Sequence, residues 1–335
     1  MPAFSIILPV YKVEEWLDEC IESILSQSFT DFELIAVDDC SPDDSLAILR
    51  RHAERDERLR VLQMERNAGV GPARNAGLDQ ATGEYVWFID GDDWIEPGSL
   101  EAIADRARAT DADIVLFGWE RRYEGGRRTR GGEQHLFKSA PEAFTLAQYP
   151  ELTFVLHVCW NKVVRRNLIE RLGYHFEGGL GQDIDFTYLV LAAAKKISIL
   201  DRICVGYRQR GTNATKTPSD KHFDAFYHWE RAWSLLQQHD LLVPPVRRYL
   251  FFRMIRHFVY IFNHPSRILN SSRKRFVITA REFYIRFRPE KLIRSPSRSE
   301  RLQHAMIASG ASTLLETRRR FLKFKGELRA KLFSP

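Results

Sequence analysis

Cysteine is scarce in this chain of 335 residues: there are four, Cys20, Cys40, Cys159 and Cys204. No two stand as Cys-x-x-Cys, so neither a zinc site of that kind nor a disulfide framework is indicated. A reducing cytoplasm is the simplest compartment to expect. The N-terminus shows no basic region followed by a cleavable apolar stretch, and a strand begins by Phe4, so no signal peptide is expected. No apolar run reaches the ~18 residues of a spanning helix. Tyr249 to Phe262 comes nearest, and Arg253, Arg256 and His257 interrupt it. Two nucleotide fingerprints are missing as well. A dinucleotide enzyme wants Gly-x-Gly-x-x-Gly after the first strand, where this chain has Pro9-Val10-Tyr11-Lys12. The Walker pattern is absent. Gly69-Val70-Gly71-Pro72-Ala73-Arg74 follows the third strand and lacks the last glycine, which makes it a weak phosphate fingerprint.

What is present is ordinary globular material, 44% hydrophobic and 28% charged, with length for roughly two domains. The net charge of +6 is unevenly spread. From Pro244 onward there are 22 Lys and Arg against five Glu and no Asp, a net of +17, which leaves −11 on residues 1–243. Such a split suggests an anionic partner for the tail. Its aromatics, Phe251, Phe252, Phe258, Tyr260 and Phe262 with Phe321, Phe324 and Phe333 further on, interleave with arginines and lysines as on helices that lie on an anionic membrane surface. The plainer alternative is a helical bundle with solvated charges. Nucleic acid is not expected, because no recognised motif accompanies the charge.

The first part alternates strands and helices. Near-continuous apolar runs at Phe4–Val10, Phe32–Val37 and Tyr85–Ile89 read as strands covered on both faces. A short strand is expected at Leu59–Met64 and a fifth at Ile114–Phe117. Helices are expected over Glu15–Gln27, from Ser41 to about Glu54, over Gly71–Ala81, near Gly98–Ala109 and over Ile184–Ala194. Glu124–Glu133 reads as a hairpin tip. Beyond Lys221 the pattern is helical, with Tyr249–Phe262, Phe276–Phe287 and a basic helix over Leu314–Leu332, and with a loop at Ser295–Ser299. Repeated β-α-β units imply a three-layer α/β/α sheet with right-handed crossovers.

Ligands in open α/β sheets bind beyond the carboxyl ends of the strands. Three such ends carry chemistry here: Pro9-Val10-Tyr11, Asp38-Asp39 and Asp90-Gly91-Asp92-Asp93. Three crowded carboxylates repel one another, and a hard divalent cation, which commonly escorts phosphate, relieves that cost. An isolated acidic turn is more often only a solvated loop. Coincidence of all three segments at one sheet edge argues for a site.

These segments, with Asn67-Ala68-Gly69, Ala73-Arg74-Asn75-Ala76-Gly77 and Gly83-Glu84-Tyr85 through Trp94, resemble glycosyltransferase family 2 and its GT-A fold over about residues 4–215. Cys40 departs from the Gly or other small residue usual there. The resemblance implies a catalytic domain over 1–218, with a nucleotide-sugar half to about 118 and an acceptor half over 119–218, followed by a basic helical region over 219–335. It implies that Pro9, Val10, Tyr11, Asp38 and Asp39 line the base pocket, with Asn67, Arg74, Asn75, Asp90 and Gly91 nearby. Asp92 and Asp90 would meet Mn²⁺ or Mg²⁺, Asp92 first, and Arg208 and Arg210 would close over the diphosphate. Asp183 falls on the general-base position, with Gln182 where the family usually has Glu; read from the residues alone, Asp183 is a helix N-cap. Trp160 and Lys162 would lie beside the acceptor, the alternative being core packing. The implied activity is metal-assisted, inverting transfer from a nucleoside-diphosphate sugar, a UDP-sugar first, to a hydroxyl of a cell-envelope glycan or lipid-linked glycan. The implied place is the cytoplasm, peripheral to the inner face of the plasma membrane. Two rivals remain at this point, a nucleotidyltransferase of related fold and an inactive scaffold module.

Overall fold

The computed structural model describes residues 1–210, 217–292 and 298–310. The expected helix over 314–332 lies outside them, as does most of the 295–299 loop. The described residues form two compact units, one of residues 1–210 and 230–241, the other of 217–229, 242–292 and 298–310.

The first unit opens with β1 (Phe4–Val10), α1 (Glu14–Leu25), β2 (Phe32–Asp38), α2 (Ser45–Ala53), β3 (Leu59–Gln63), α3 (Val70–Asp79) and β4 (Tyr85–Phe88). It continues through β5 (Trp94–Ile95), α4 (Ser99–Thr110), β6 (Ile114–Tyr123), β7 (Arg128–Arg130) and α5 (Gln134–Ser139). Then come β8 (Lys162–Arg165), α6 (Arg166–Arg171), α7 (Asp183–Ala193) and β9 (Ile197–Gln209). One sheet runs β3-β2-β1-β4-β8-β6-β9-β5, with β7 paired to β6. The four strands of the β-α-β half are parallel to one another, and β8 enters antiparallel between β4 and β6.

Why the strands read as continuous apolar runs is visible in β1. Phe4, Ile6, Leu8 and Val10 pack with α1, α2 and α4 in one core. Ile7 points the other way, where a Cβ on Gly77 of α3 would come within 2.5 Å of it. The same alternation in β4 sends Trp87 to the first face and Phe88 to the second, where Phe88 meets Phe176 and Phe186 edge-on at 5.1 and 5.5 Å. With both faces covered, alternation of polar and apolar residues disappears.

The second half of the sheet was less expected. β6 runs six residues past the expected strand end at Phe117, β8 is short and carries a lysine, and β9 spans 13 residues. Bulges flank Gly118, where β6 meets β9; a side chain there would press on the Arg202 carbonyl at 2.8 Å. Asp201 and Arg202 are exposed at this irregularity, so β9 does not read as one strand in sequence.

The helical remainder comprises α8 (Asp224–Gln238), α9 (Pro244–Asn263), α10 (Arg273–Phe287) and α11 (Arg298–Ser309). In the second unit Phe226 gathers Phe258, Phe276 and Phe283 at ring distances of 4.5, 4.7 and 5.1 Å. This corrects part of the membrane-surface expectation. Phe251, Phe252, Phe258 and Phe262 are buried, and Tyr260 is the exposed one of the five. Phe321, Phe324 and Phe333 lie outside the described residues. No helix among the described residues is long and apolar enough to cross a membrane.

Candidate active site

The ends of β1, β2 and β4 lie side by side, because Val10 pairs with Asp38 and Ile7 with Phe88. The chain leaves β2 through Asp38, whose two carboxylate oxygens accept the Ser41 N–H at 3.3 Å. That turn puts Cys40 in the left-handed region at φ 58°, a conformation glycine adopts freely. The departure at Cys40 therefore falls on a position with a physical demand for a small or flexible residue.

Asp39 is buried and already engaged. It accepts the Ala68 N–H at 2.7 Å, the Gly69 N–H at 2.8 Å and the Asn67 side-chain amide at 3.0 Å. It thus holds the loop that enters α3. A carboxylate has about four acceptor positions, so capacity remains for a base N–H. Tyr11, just past the end of β1, is 42% exposed, with the Lys12 ammonium 5.6 Å from its ring. Asn75 bonds to the backbone of Phe176. Its amide donates to the Phe176 carbonyl at 2.8 Å and accepts the Phe176 N–H at 2.8 Å, so it ties α3 to the segment before α7.

Arg74 joins distant parts of the sequence. One guanidinium nitrogen donates to Asp183 at 2.6 Å and another to Asp90 at 2.8 Å, while its plane lies 5.5 Å from the Phe176 ring. Burial opposes the Arg74 charge, but Asp183 and Asp90 outweigh it and hold its proton more tightly than usual. Asp183 is the first residue of α7, and the N-cap position belongs to Gln182 without a side-chain cap bond. The N-cap reading of Asp183 is therefore corrected. Arg74 engages only Oδ1 of Asp183, so Oδ2 is not used in that pair. Gln182 is buried, and its Oε1 has no hydrogen-bond partner.

The acidic turn is held from several sides. Asp93 N–H donates to the Asp90 carbonyl at 3.0 Å. Gly91 fits under Val13, where a Cβ would sit 3.1 Å from a methyl group. Asp92 pairs with Arg210, whose guanidinium also covers Trp16 at 4.3 Å. Arg208 donates its N–H to Asp93 at 2.8 Å and its Nε to the Asp92 carbonyl at 2.9 Å. Burial raises Asp93 well above the usual carboxylate range, with Asp92 and Asp90 adding to it. Burial also raises Asp90, against Arg74 and with Asp92 and Asp183. Oδ2 of Asp93 is buried without a partner.

These features fit a divalent cation only in company with a substrate. Among the described residues no three His, Cys, Asp or Glu side chains gather closely enough to hold a metal alone. Mg²⁺ commonly takes one or two carboxylates together with substrate phosphates, and Asp90 and Asp92 supply that number.

The acceptor-side candidates are buried. Trp160 is 2% exposed and packs edge-on to Trp119 at 5.3 Å, its carbonyl accepting the Trp87 indole N–H at 2.8 Å. Lys162 is fully buried on β8. Its ammonium donates to the Val158 carbonyl and to Thr187 Oγ1 at 3.4 Å, and burial pushes its pKa down to about 8. Both residues take the core position that was their alternative.

Sequence reasoning missed Asp185. It is fully buried, paired with Arg231 and bonded to the Tyr174 hydroxyl at 3.1 Å. Arg231 also donates to the His175 carbonyl at 2.7 Å. One carboxylate in a helix that is otherwise largely apolar all round, among Ile184, Phe186 and Leu189, was the available signal.

The model of glycosyl transferase family 2 matches residues 5–173. The chain is 31% identical to "Uncharacterized glycosyltransferase EpsJ" of Bacillus subtilis over 68% of each protein. It is 33% identical, over 60% of its length, to Staphylococcus aureus poly(ribitol-phosphate) beta-N-acetylglucosaminyltransferase TarS, of which the match spans 34%. A crystal structure of TarS 1–349 with UDP-GlcNAc superposes with a TM-score of 0.77 at 25% identity, covering 95% of this chain and 91% of that one. The sheet and its helices are thus the GT-A fold.

Proposed function

The chain belongs to glycosyl transferase family 2 and is a glycosyl transfer enzyme, and from that premise we propose that it moves a sugar from a UDP-sugar to a hydroxyl of a cell-envelope glycan or lipid-linked glycan, with inversion. The observation that carries this is the Arg74 bridge. It ties the Asp90 turn, on the donor side, to Asp183 at the start of α7, which lies 109 residues from Arg74 in sequence. A UDP-GlcNAc complex of a similar fold and one relative, the minor teichoic acid biosynthesis protein GgaB of Bacillus subtilis, support the donor and acceptor classes.

In this reading Tyr11 and the Asp39 loop receive the base, and Asp90 and Asp92 hold Mg²⁺ or Mn²⁺ with the diphosphate. When bound, the ion neutralises charge on the leaving group. Arg208 and Arg210 stand at the same turn and add positive charge there. Asp183 Oδ2 takes the proton from the acceptor hydroxyl as its oxygen attacks the anomeric carbon. The bond to the diphosphate breaks on the opposite face, which inverts that carbon. The relatives named above are glycosyltransferases, which favours sugar transfer over the nucleotidyltransferase rival.

The C-terminal region, with its +17 charge, is the part we assign to an anionic membrane surface; sedimentation with anionic liposomes that does not respond to salt would remove that role. The transfer reading is tested with a panel of nucleotide sugars scored for release of nucleoside diphosphate with and without added Mn²⁺. Metal-dependent release of UDP is expected. Release of pyrophosphate from a nucleoside triphosphate and a sugar phosphate instead would overturn it.

A further inference from the structure

We propose that the β6–β7 hairpin is a docking arm for a polyanionic, phosphate-bearing acceptor chain. The inference rests on the transfer reading above and names the chemistry of its acceptor. Residues 119–130 hold five arginines against Glu120 and Glu124. Glu120 is used internally, paired to Arg122 and within 3.9 Å of Arg128. Arg121, Arg127 and Arg130 have no carboxylate partner among the described residues, and Arg127, Arg128 and Arg130 are exposed.

Two of these cations are held in place. The Arg121 guanidinium lies 4.7 Å from the Trp119 ring and that of Arg127 lies 4.0 Å from the Tyr123 ring. Neither guanidinium has a hydrogen-bonded side-chain or carboxylate partner among the described residues, and its planar N–H fork suits a phosphate. The arm is also in register with the site. Arg121 pairs with Tyr207 and Arg122 with Arg208 across β9, and Arg208 is the residue whose N–H meets Asp93. The hairpin therefore continues, beyond the sheet, the strand pair that borders the acidic turn.

The residues select among anionic partners. Residues 124–130 contain no apolar side chain to enter a lipid surface. Trp119 is buried and Tyr123 already carries the Arg127 guanidinium, so neither is an open platform like those that stack bases. What remains is a line of edges for successive phosphates, and such electrostatic capture is weakened by salt.

The test uses inorganic polyphosphate as the probe, with single-stranded DNA of equal charge and anionic phospholipid vesicles beside it. Full-length protein is compared with Arg127→Glu/Arg130→Glu and with a control of equal charge change, Arg55→Glu/Arg171→Glu. The expected result is salt-sensitive polyphosphate binding that weakens at least about tenfold in the hairpin variant and stays within about twofold in the control. UDP binding and metal-dependent release of UDP from a UDP-sugar should be the same in all three proteins. Equal weakening of polyphosphate binding in both variants, or a hairpin variant that loses DNA or vesicle binding as strongly as polyphosphate binding, overturns the docking arm. Loss of UDP release in unaltered protein would instead refute the transfer reading on which it rests.

Discussion

A buried ammonium is costly, and Lys162 shows how that cost reads out at a single residue. Its pKa falls from 10.5 to about 8 because burial disfavours the charged form, although Cys159, Asp183 and Glu133 favour it and Arg74 opposes it. Between those two values the unfolded chain binds the proton that the folded protein has lost, so stability rises with pH there. Compared with Lys162→Met, the wild-type protein should show no pH-dependent difference below about pH 8. It should then gain up to about 3 kcal/mol between about pH 8 and pH 10.5, measured by urea unfolding across that range. At this scale the sequence is legible where a residue type is tied to a strand end. Asp38, Asp39 and Asp90 to Asp93 stand where strand and turn patterns placed them. It is not legible where one side chain reaches across the fold. Nothing local announces that Asn75 clamps Phe176, that Asp39 ties Asn67 to Gly69, or that Asp185 waits for Arg231.

Elements explain why those reaches hold. Helix α3 starts so close to the segment before α7 that Gly71 has no room for a Cβ. One would stand 2.3 Å from the Glu177 carbonyl and 2.5 Å from Gln182 Oε1. The amide can swing aside, but the backbone carbonyl cannot without moving the segment that leads to Asp183. Gly71→Ala should therefore cost about 1–3 kcal/mol in denaturant unfolding and lower turnover beyond what the stability loss explains. Unchanged stability would mean that the segment yields freely. Repeated β-α-β units made this half of the sheet readable, since apolar strands and amphipathic helices each follow their own period. The second half of the sheet was less so. β8 has four residues, one of them a buried lysine, and β9 carries Asp201 and Arg202 in its middle. There the pairing with β6, a long-range property, overrides the local pattern.

For the whole molecule, the basic half of the chain proves to have a core of its own. His257 lies in that second unit and accepts the Trp229 indole N–H at 3.0 Å on Nδ1. Burial holds its pKa well below 6.5, with Arg253, Arg267 and His222 adding to the effect. The unfolded chain thus binds a proton first as pH falls below 6.5, and the folded unit loses stability from there downward. His257→Gln, which still offers an acceptor, should melt with a shallower pH dependence between pH 6.5 and pH 5; an identical slope would exclude His257 as the source. The account's central claim joins the donor turn to Asp183 through Arg74, and it is tested most directly by Asp183→Asn. UDP release from the preferred UDP-sugar and acceptor should fall by about 10²-fold or more, while titration with UDP returns nearly the wild-type affinity. Turnover within a few-fold of wild type, with UDP affinity intact, would contradict it.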